Sequence, residues 1–301
     1  MIFKIQPGFT SIFFRMNKSK INTFIILLCL IIVSGCAILS QQPQGLPPID
    51  KPSYLKLSTG KNDGFEIKLV NEIPVSRFAI LRSTIDSITY ALDEFNPIIL
   101  DPMDSVSFSI LSEIDSVAHQ EIVGSLSGSS YIGNPKTAKP DTSFLYALPV
   151  RKGASYRVLQ GQDGSFTHNT DINRYAIDIA MEVGDTVFAA RGGKVGYVFG
   201  ESSYGGNNEA FLDYANTIMI LHEDGTVAQY SHLKQNGVLV EIGDVVQMGD
   251  RIGLSGNTGF VSGDHLHLNV YEPHDKGTRS VFISFKGYEG KWFVKGDSVS
   301  H

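Results

Sequence analysis

The residues best suited to chemistry are histidines and one aspartate on strand-like segments. In His265-Leu266-His267, the two-residue alternation of a strand puts both imidazoles on one face and Leu266 on the other. His232 follows a second such segment. Asp178 lies between two isoleucines, so its carboxylate faces away from its apolar neighbours, where it needs a cation to be stable. Nitrogen and carboxylate groups on such faces could bind a metal, although an exposed pair of strand histidines has the same spacing.

The elements that carry these residues belong to an all-β half of the chain. From about residue 146 onward, short strand-like runs alternate with turns such as Glu223-Asp224-Gly225, and no long helical apolar period occurs. Residues 53–138 also show short alternating segments, which predict a small N-terminal β-sandwich-like domain. There, 83–94 could instead form a short helix. The fold class predicted for the chain is therefore all-β, with an antiparallel sheet in its second half.

The domain boundaries follow from changes in composition. Residues 1–35 carry four basic residues and no acidic one, and end in a short apolar run and Val33-Ser34-Gly35 before Cys36. This pattern predicts a secretory signal peptide, and it resembles a bacterial lipobox in which Cys36 becomes lipidated. The translation start could be Met1 or Met16. Residues 36–52 are predicted to be a tether, 53–138 the N-terminal domain, 139–147 a linker and 148–301 the second domain.

Composition excludes several classes of protein. The 301 residues are 42% hydrophobic and 19% charged, unlike a disordered chain. The net charge of -6 gives no basic face for nucleic acid, so no nucleic-acid partner is expected. Cys29 and Cys36 are the only cysteines, so neither a disulfide framework nor a cysteine-built zinc site is possible.

Several motifs in the same order resemble the lysostaphin/LytM-type zinc metallopeptidases, which cut peptidoglycan cross-bridges. The resemblance covers about residues 148–271 and includes Tyr175-Ala176-Ile177-Asp178 and Ser262-Gly263-Asp264-His265-Leu266-His267. Further matching motifs lie at 184–190, 230–233, 243–250 and 252–259. The resemblance implies a LytM/lysostaphin-type antiparallel β-sheet peptidase domain with Zn²⁺ as its cofactor.

The resemblance also implies roles for individual residues. Asp178 and His267 match two zinc ligands of the family, and His232 and His265 match its two active-site histidines that do not bind the metal. The common spacing would place the first ligand at residue 174, which is Arg here. His168, in a loop before the Asp178 strand, fits a branch of the family with a longer spacing.

Two imidazoles and one carboxylate would leave a zinc ion one open position, as in catalytic zinc sites. The total charge of about +1 would favour activation of a bound water for attack on an amide carbonyl. In metallopeptidases with a His-Glu-x-x-His motif, the glutamate acts as the general base. His222-Glu223 does not begin such a motif, because residue 226 is Thr rather than His. His232 and His265 would then accept the water proton or bind the developing oxyanion, in either order.

The predicted function is hydrolysis of peptide cross-links in peptidoglycan by an enzyme of the cell envelope. It would be lipid-anchored to a membrane and face the extracytoplasmic side, in the periplasm or at the outer membrane. Membrane attachment would be through Cys36, and the N-terminal domain could bind a cell-wall protein. One alternative is a catalytically silent lipoprotein that binds or activates another cell-wall hydrolase. A second is a lipoyl- or biotinyl-type carrier, but no Met here is followed by Lys.

Overall fold

The computed structural model describes residues 46–49, 51, 54–62, 64–110 and 119–301. The protein is mostly β, with 44% strand and 9% helix, which confirms the predicted fold class. Its described residues fall into two compact units, one from those up to 72 and within 79–130, the other from residues 73–78 and 131–301. The predicted signal peptide and Cys36 lie outside the described residues, and the domain boundaries stay predictions.

The first unit combines short strands with two helices around one apolar core. Its sheets have the strand orders β1-β2-β5 and β4-β3-β6. The elements are β1 (Leu55–Asn62), β2 (Gly64–Asn71), β3 (Arg77–Ser83), α1 (Asp86–Asp93), β4 (Ile98–Leu100), β5 (Ser105–Ile110), α2 (His119–Ser125) and β6 (Leu126–Ile132).

Alternation explains the core of this unit. In β2, Phe65, Ile67 and Leu69 are buried while Lys68 between them is exposed. Helix α1 lies inside the segment for which a helix was the alternative, whereas α2 was not predicted from the sequence. The sandwich-like arrangement stays a prediction.

The second unit contains a nine-stranded sheet, in the order β16-β11-β13-β14-β19-β9-β8-β22 with β20 paired to β19. Its strands are β7 (Leu145–Tyr146), β8 (Ser155–Gln160), β9 (Ile177–Ala180), β10 (Thr186–Phe188), β11 (Gly193–Phe199), β12 (Gly205–Gly206), β13 (Thr217–Leu221), β14 (Val227–Ser231), β15 (Leu233–Val238), β16 (Val245–Val246), β17 (Arg251–Ser255), β18 (Gly259–Phe260), β19 (His265–His274), β20 (Gly277–Ser280), β21 (Ser284–Phe285) and β22 (Ser298–Ser300). A 3₁₀ helix covers Glu209–Tyr214.

Most strand pairs in this unit are antiparallel, as predicted, but two short pairs are parallel: β12 with β18 and β21 with β7. A smaller sheet has the order β10-β17-β15. The apolar core packs on one face of the central strands and includes Ile177, Ile179, Leu266 and Leu268. No helix among the described residues is long and apolar enough to cross a membrane.

Candidate metal centre and active site

Strand register brings three of the predicted site residues to the middle of the large sheet. In the β9–β19 ladder His267 lies directly opposite Asp178, and in the β14–β19 ladder it lies opposite Ser231. Side chains of directly opposed residues share a face of the sheet. Leu266, one residue along, belongs to the buried core on the other face. This is the arrangement that the alternation of His265-Leu266-His267 predicts.

His168 reaches the same point from a loop between β8 and β9. Its Nε2 atom lies 3.3 Å from Asp178 Oδ1. His267 Nδ1 lies 2.9 Å from the same oxygen. The donor atoms of all three residues lie within 4.8 Å of one another. The three residues are buried, with 0% exposure for His168, 7% for Asp178 and 8% for His267. The loop therefore folds back far enough to complete a three-residue cluster.

The protonation of His168 follows from its hydrogen bond. Its Nδ1 lies 2.9 Å from the carbonyl oxygen of Gly161, which can only accept, so Nδ1 carries the hydrogen. In the neutral ring, Nε2 then carries a lone pair and no hydrogen. That atom is buried and has no hydrogen-bond partner among the described residues. A buried lone pair without a donor is costly, and a cation would remove this cost.

His232 and His265 lie beside the cluster and are held in the same way. His232 Nδ1 donates to the carbonyl of Thr258 at 2.7 Å, and His265 Nδ1 donates to that of Gly263 at 2.8 Å. The two ring centroids are 4.7 Å apart. In each neutral ring, Nε2 then carries a lone pair and no hydrogen. His265 Nε2 lies 3.7 Å from Asp178 Oδ1.

The backbone of His232 is unusual. With φ at 66°, it adopts the left-handed conformation between the end of β14 and the start of β15. A residue other than glycine in this region costs about 1–3 kcal/mol and persists only where its surroundings impose it. Such strain is found most often at functional sites.

Burial and mutual charge set the pKa values in this cluster. Burial opposes ionisation of Asp178, but the hydrogen bond from His267 and the nearby imidazoles more than offset it and hold the pKa of Asp178 well below the usual value. Burial lowers the pKa of His267, and Asp178 only partly opposes this effect. Burial and the neighbouring charges of His265 and His267 lower the pKa of His232 to about 3. The carboxylate is thus ionised, and His232 and His267 favour their neutral forms.

The donor set fits a divalent cation with a preference for nitrogen and oxygen ligands. Tetrahedral Zn²⁺ has ligand bonds of about 2.0–2.2 Å, which put neighbouring donor atoms roughly 3.3 Å apart. The observed separations of 3.3 and 2.9 Å from Asp178 Oδ1 are close to this value. Together with the unpartnered Nε2 of His168, they show that these residues could hold a metal.

Three further residues of this unit, Tyr230, His222 and Arg174, are not part of the cluster. The Tyr230 hydroxyl is in the core, where it accepts from the backbone N–H of Ala190. His222 donates from Nδ1 to the carbonyl of Gly192. Arg174, at the position where the common spacing has its ligand, pairs with Asp163 instead.

Sequence reasoning missed the groups that support the cluster. The carbonyls of Gly161, Thr258 and Gly263 fix three imidazoles, but backbone acceptors leave no trace in residue type. It also missed Gln160, whose amide donates to Asp178 Oδ2 at 3.2 Å. The one available signal was a polar residue ending a strand shortly before the His168 loop.

Comparison with known proteins agrees with this geometry. Residues 173–280 match the model described as Peptidase family M23, so His168 lies just before the matched segment. The glycyl-glycine endopeptidase ALE-1 of Staphylococcus capitis is 38% identical over 121 residues, which are 38% of this chain and 30% of that protein. The peptidoglycan DD-endopeptidase ShyA of Vibrio cholerae serotype O1 is 38% identical over 93 residues, 31% of this chain and 19% of that protein.

The chain thus spans less than a third of either relative's length. Among solved structures, the catalytic domain of lysostaphin from Staphylococcus simulans has 26% identity and a TM-score of 0.29, covering 44% of this chain and 88% of that chain. The matched segment contains Asp178, His232, His265 and His267. Residues 173–280 therefore match peptidase family M23, and the relatives that match part of this chain include a glycyl-glycine endopeptidase and a peptidoglycan DD-endopeptidase.

Proposed function

We propose that this protein is a zinc-dependent endopeptidase that hydrolyses peptide cross-links of bacterial peptidoglycan. The observation that carries the proposal is the buried cluster of His168, Asp178 and His267, with the imidazoles of His232 and His265 beside it. The names of the relatives, a glycyl-glycine endopeptidase and a peptidoglycan DD-endopeptidase, support peptidoglycan peptides as the substrate class.

The proposed zinc ligands are His168 Nε2, Asp178 Oδ1 and His267 Nδ1. When bound in such a site, Zn²⁺ polarises an amide carbonyl and makes water a stronger nucleophile near neutral pH. The protein supplies one negative and two neutral ligands, whose burial keeps competing water away from their donor atoms. The Nδ1–H of His168 on the Gly161 carbonyl directs the free Nε2 towards the carboxylate.

Proton transfer is assigned to His232 and His265. Because each ring donates from Nδ1 to a backbone carbonyl, its Nε2 lone pair can accept a proton from the attacking water. The imidazolium so formed can donate a hydrogen bond to the developing oxyanion or pass the proton to the amine leaving group. The short distance between the two rings supports assigning both functions to one site.

The location follows from the substrate class, because peptidoglycan lies outside the cytoplasm. Lipidation of Cys36 after removal of residues 1–35 would anchor the protein to a membrane on its extracytoplasmic side. Residues 53–138 would then be the part available to bind a cell-wall protein. These segments are assigned from sequence patterns alone.

The test is digestion of purified peptidoglycan by the full chain, with mass spectrometry of the released muropeptides. We expect cleavage of peptide cross-links that stops with chelator and returns with Zn²⁺. His274→Ala, which changes a histidine outside the cluster, is the matched control and should keep activity. A protein that binds zinc but cleaves nothing would favour the silent-regulator alternative, and cleavage insensitive to chelator would contradict the proposed cofactor.

A further inference from the structure

The side chain of Gln160, the last residue of β8, lies between the His168 loop and Asp178. Its Nε2 donates to Thr167 Oγ1 at 2.7 Å and to Asp178 Oδ2 at 3.2 Å. Its Oε1 accepts from the backbone N–H groups of Phe166 and Thr167 at 3.1 and 3.3 Å. One amide thus joins the loop that carries His168 to the carboxylate of Asp178.

A β-bulge directs this side chain. In the β8–β9 ladder Val158 pairs with Ile179, and the register then shifts so that Gln160, rather than Leu159, lies opposite Asp178. Directly opposed residues have their side chains on one face of the sheet. Without the shift, Leu159 would lie opposite Asp178, and its apolar side chain would face the carboxylate. Bulges next to active sites often redirect a side chain in this way.

The loop also leaves room for the amide. A Cβ atom added at Gly164 would lie 2.3 Å from Cγ and 2.8 Å from Cδ of Gln160. Real Cβ atoms do not approach other heavy atoms so closely, so an alanine at residue 164 would force the Gln160 side chain to move. Glycine at this position therefore allows Gln160 to adopt its observed conformation.

The two carboxylate oxygens of Asp178 contact different partners. Oδ1 faces His168, His265 and His267, at 3.3, 3.7 and 2.9 Å. Oδ2 accepts from Gln160. A carboxylate held through one oxygen presents the other in a fixed direction, and hydrogen-bonding partners of metal ligands contribute to affinity by fixing their orientation. Gln160 holds one ligand directly and a second through its loop.

We propose that Gln160 is a positioning residue for the metal centre, fixing Asp178 and the His168 loop in the geometry that binds the ion. This inference rests on the proposed function, because it concerns the affinity of that centre for zinc. It explains why the long separation between His168 and Asp178 along the chain is compatible with a compact site.

The test measures the zinc affinity of the full chain by competition with a chromogenic chelator. Gln160→Met keeps the length of the side chain and removes its hydrogen bonds, and we expect zinc to bind about 10–100-fold more weakly. Gln235→Met is the control: Gln235 also lies on a strand, and its amide also donates a hydrogen bond, to the carbonyl of Glu201, but neither residue lies in the ladders that carry the cluster. The control should bind zinc as the wild type does.

A double-mutant cycle separates positioning from general damage to the fold. Gly164→Ala should weaken zinc binding by displacing the Gln160 amide. In a Gln160→Ala background there is no Cγ to displace, so Gly164→Ala should add little further loss. Additive losses would show that Gly164 acts independently of Gln160 and would contradict the conclusion that glycine at residue 164 makes room for the Gln160 side chain.

The visible absorption spectrum of the Co²⁺-substituted protein gives a second readout, since it reports ligand geometry rather than turnover. We expect Gln160→Met to change this spectrum and Gln235→Met to leave it unchanged. If wild type binds zinc and cleaves peptidoglycan while Gln160→Met has wild-type affinity and spectrum, this inference is wrong and the proposed function stands. If the wild type binds no zinc, the proposed function itself fails.

Discussion

The buried histidine at residue 222 predicts a measurable loss of stability in acid. The ring is 3% exposed and packs against Tyr146 at a centroid distance of 5.8 Å. Burial, with the charge of Arg191 adding to it, lowers the pKa of His222 to about 4, against the usual 6.5. The unfolded chain therefore takes up this proton first as the pH falls. The contribution of neutral His222 to the free energy of unfolding is fully present above about pH 6.5 and is lost progressively between pH 6.5 and 4.

The magnitude follows from the two pKa values. Each pKa unit corresponds to about 1.4 kcal/mol, so protonation of His222 lowers the free energy of unfolding by about 2–3 kcal/mol at pH 4.5 and by about 3 kcal/mol well below pH 4. His222→Gln removes the titrating group and should remove this part of the pH dependence. Other titrating groups remain in both proteins, so the difference between their pH profiles isolates His222.

The assay is urea unfolding in chelator at pH 7.5 and 4.5, followed by the fluorescence of Trp292. This is the only tryptophan of the sequence and lies in the same unit as His222. We expect wild type to lose about 2–3 kcal/mol more than His222→Gln between the two pH values. Equal losses in the two proteins would refute the assignment of a low pKa to the buried ring.

The remaining predictions concern the site, the core and the anchor. His232→Ala should keep the zinc content of wild type and lose about 10²–10⁴-fold in peptidase activity, because the change removes a proton-transfer group but no zinc ligand. Loss of zinc in this variant would show that the role assigned to His232 is wrong. His267→Ala should lose both zinc and activity, and retained stoichiometric zinc would contradict its role as a ligand. Ile179→Ala, in the fully buried core beneath the site, should lower the free energy of unfolding by about 2–5 kcal/mol, whereas Val183→Ala at an exposed position should change it by less than about 0.5 kcal/mol. Cys36→Ala should move the protein from the membrane to the soluble fraction of cells, and unchanged fractionation would contradict the anchor.

Strand periodicity made part of the site predictable. Two-residue alternation was enough to put His265 and His267 on one face, and the isoleucines beside Asp178 were enough to orient its carboxylate. Both inferences need only local sequence, because the faces of a strand are fixed by its backbone.

The supporting contacts could not be predicted in this way. The bulge that puts Gln160 opposite Asp178 depends on the register between two strands that are separated by the His168 loop. The carbonyls of Thr258 and Gly263 act through backbone atoms that every residue possesses. In the first unit, helix α2 is only seven residues long and contains a glycine, so local propensity gave little indication of it.

The most direct test of the metal centre is a crystal structure of the zinc-loaded protein, with the ion located by anomalous scattering at the zinc edge. We expect one zinc ion bonded to His168, Asp178 and His267 at about 2.0–2.2 Å, with Nε2 of His168 as the donor. An ion bound through His232 or His265 while His168 stays out of bonding distance would contradict the account.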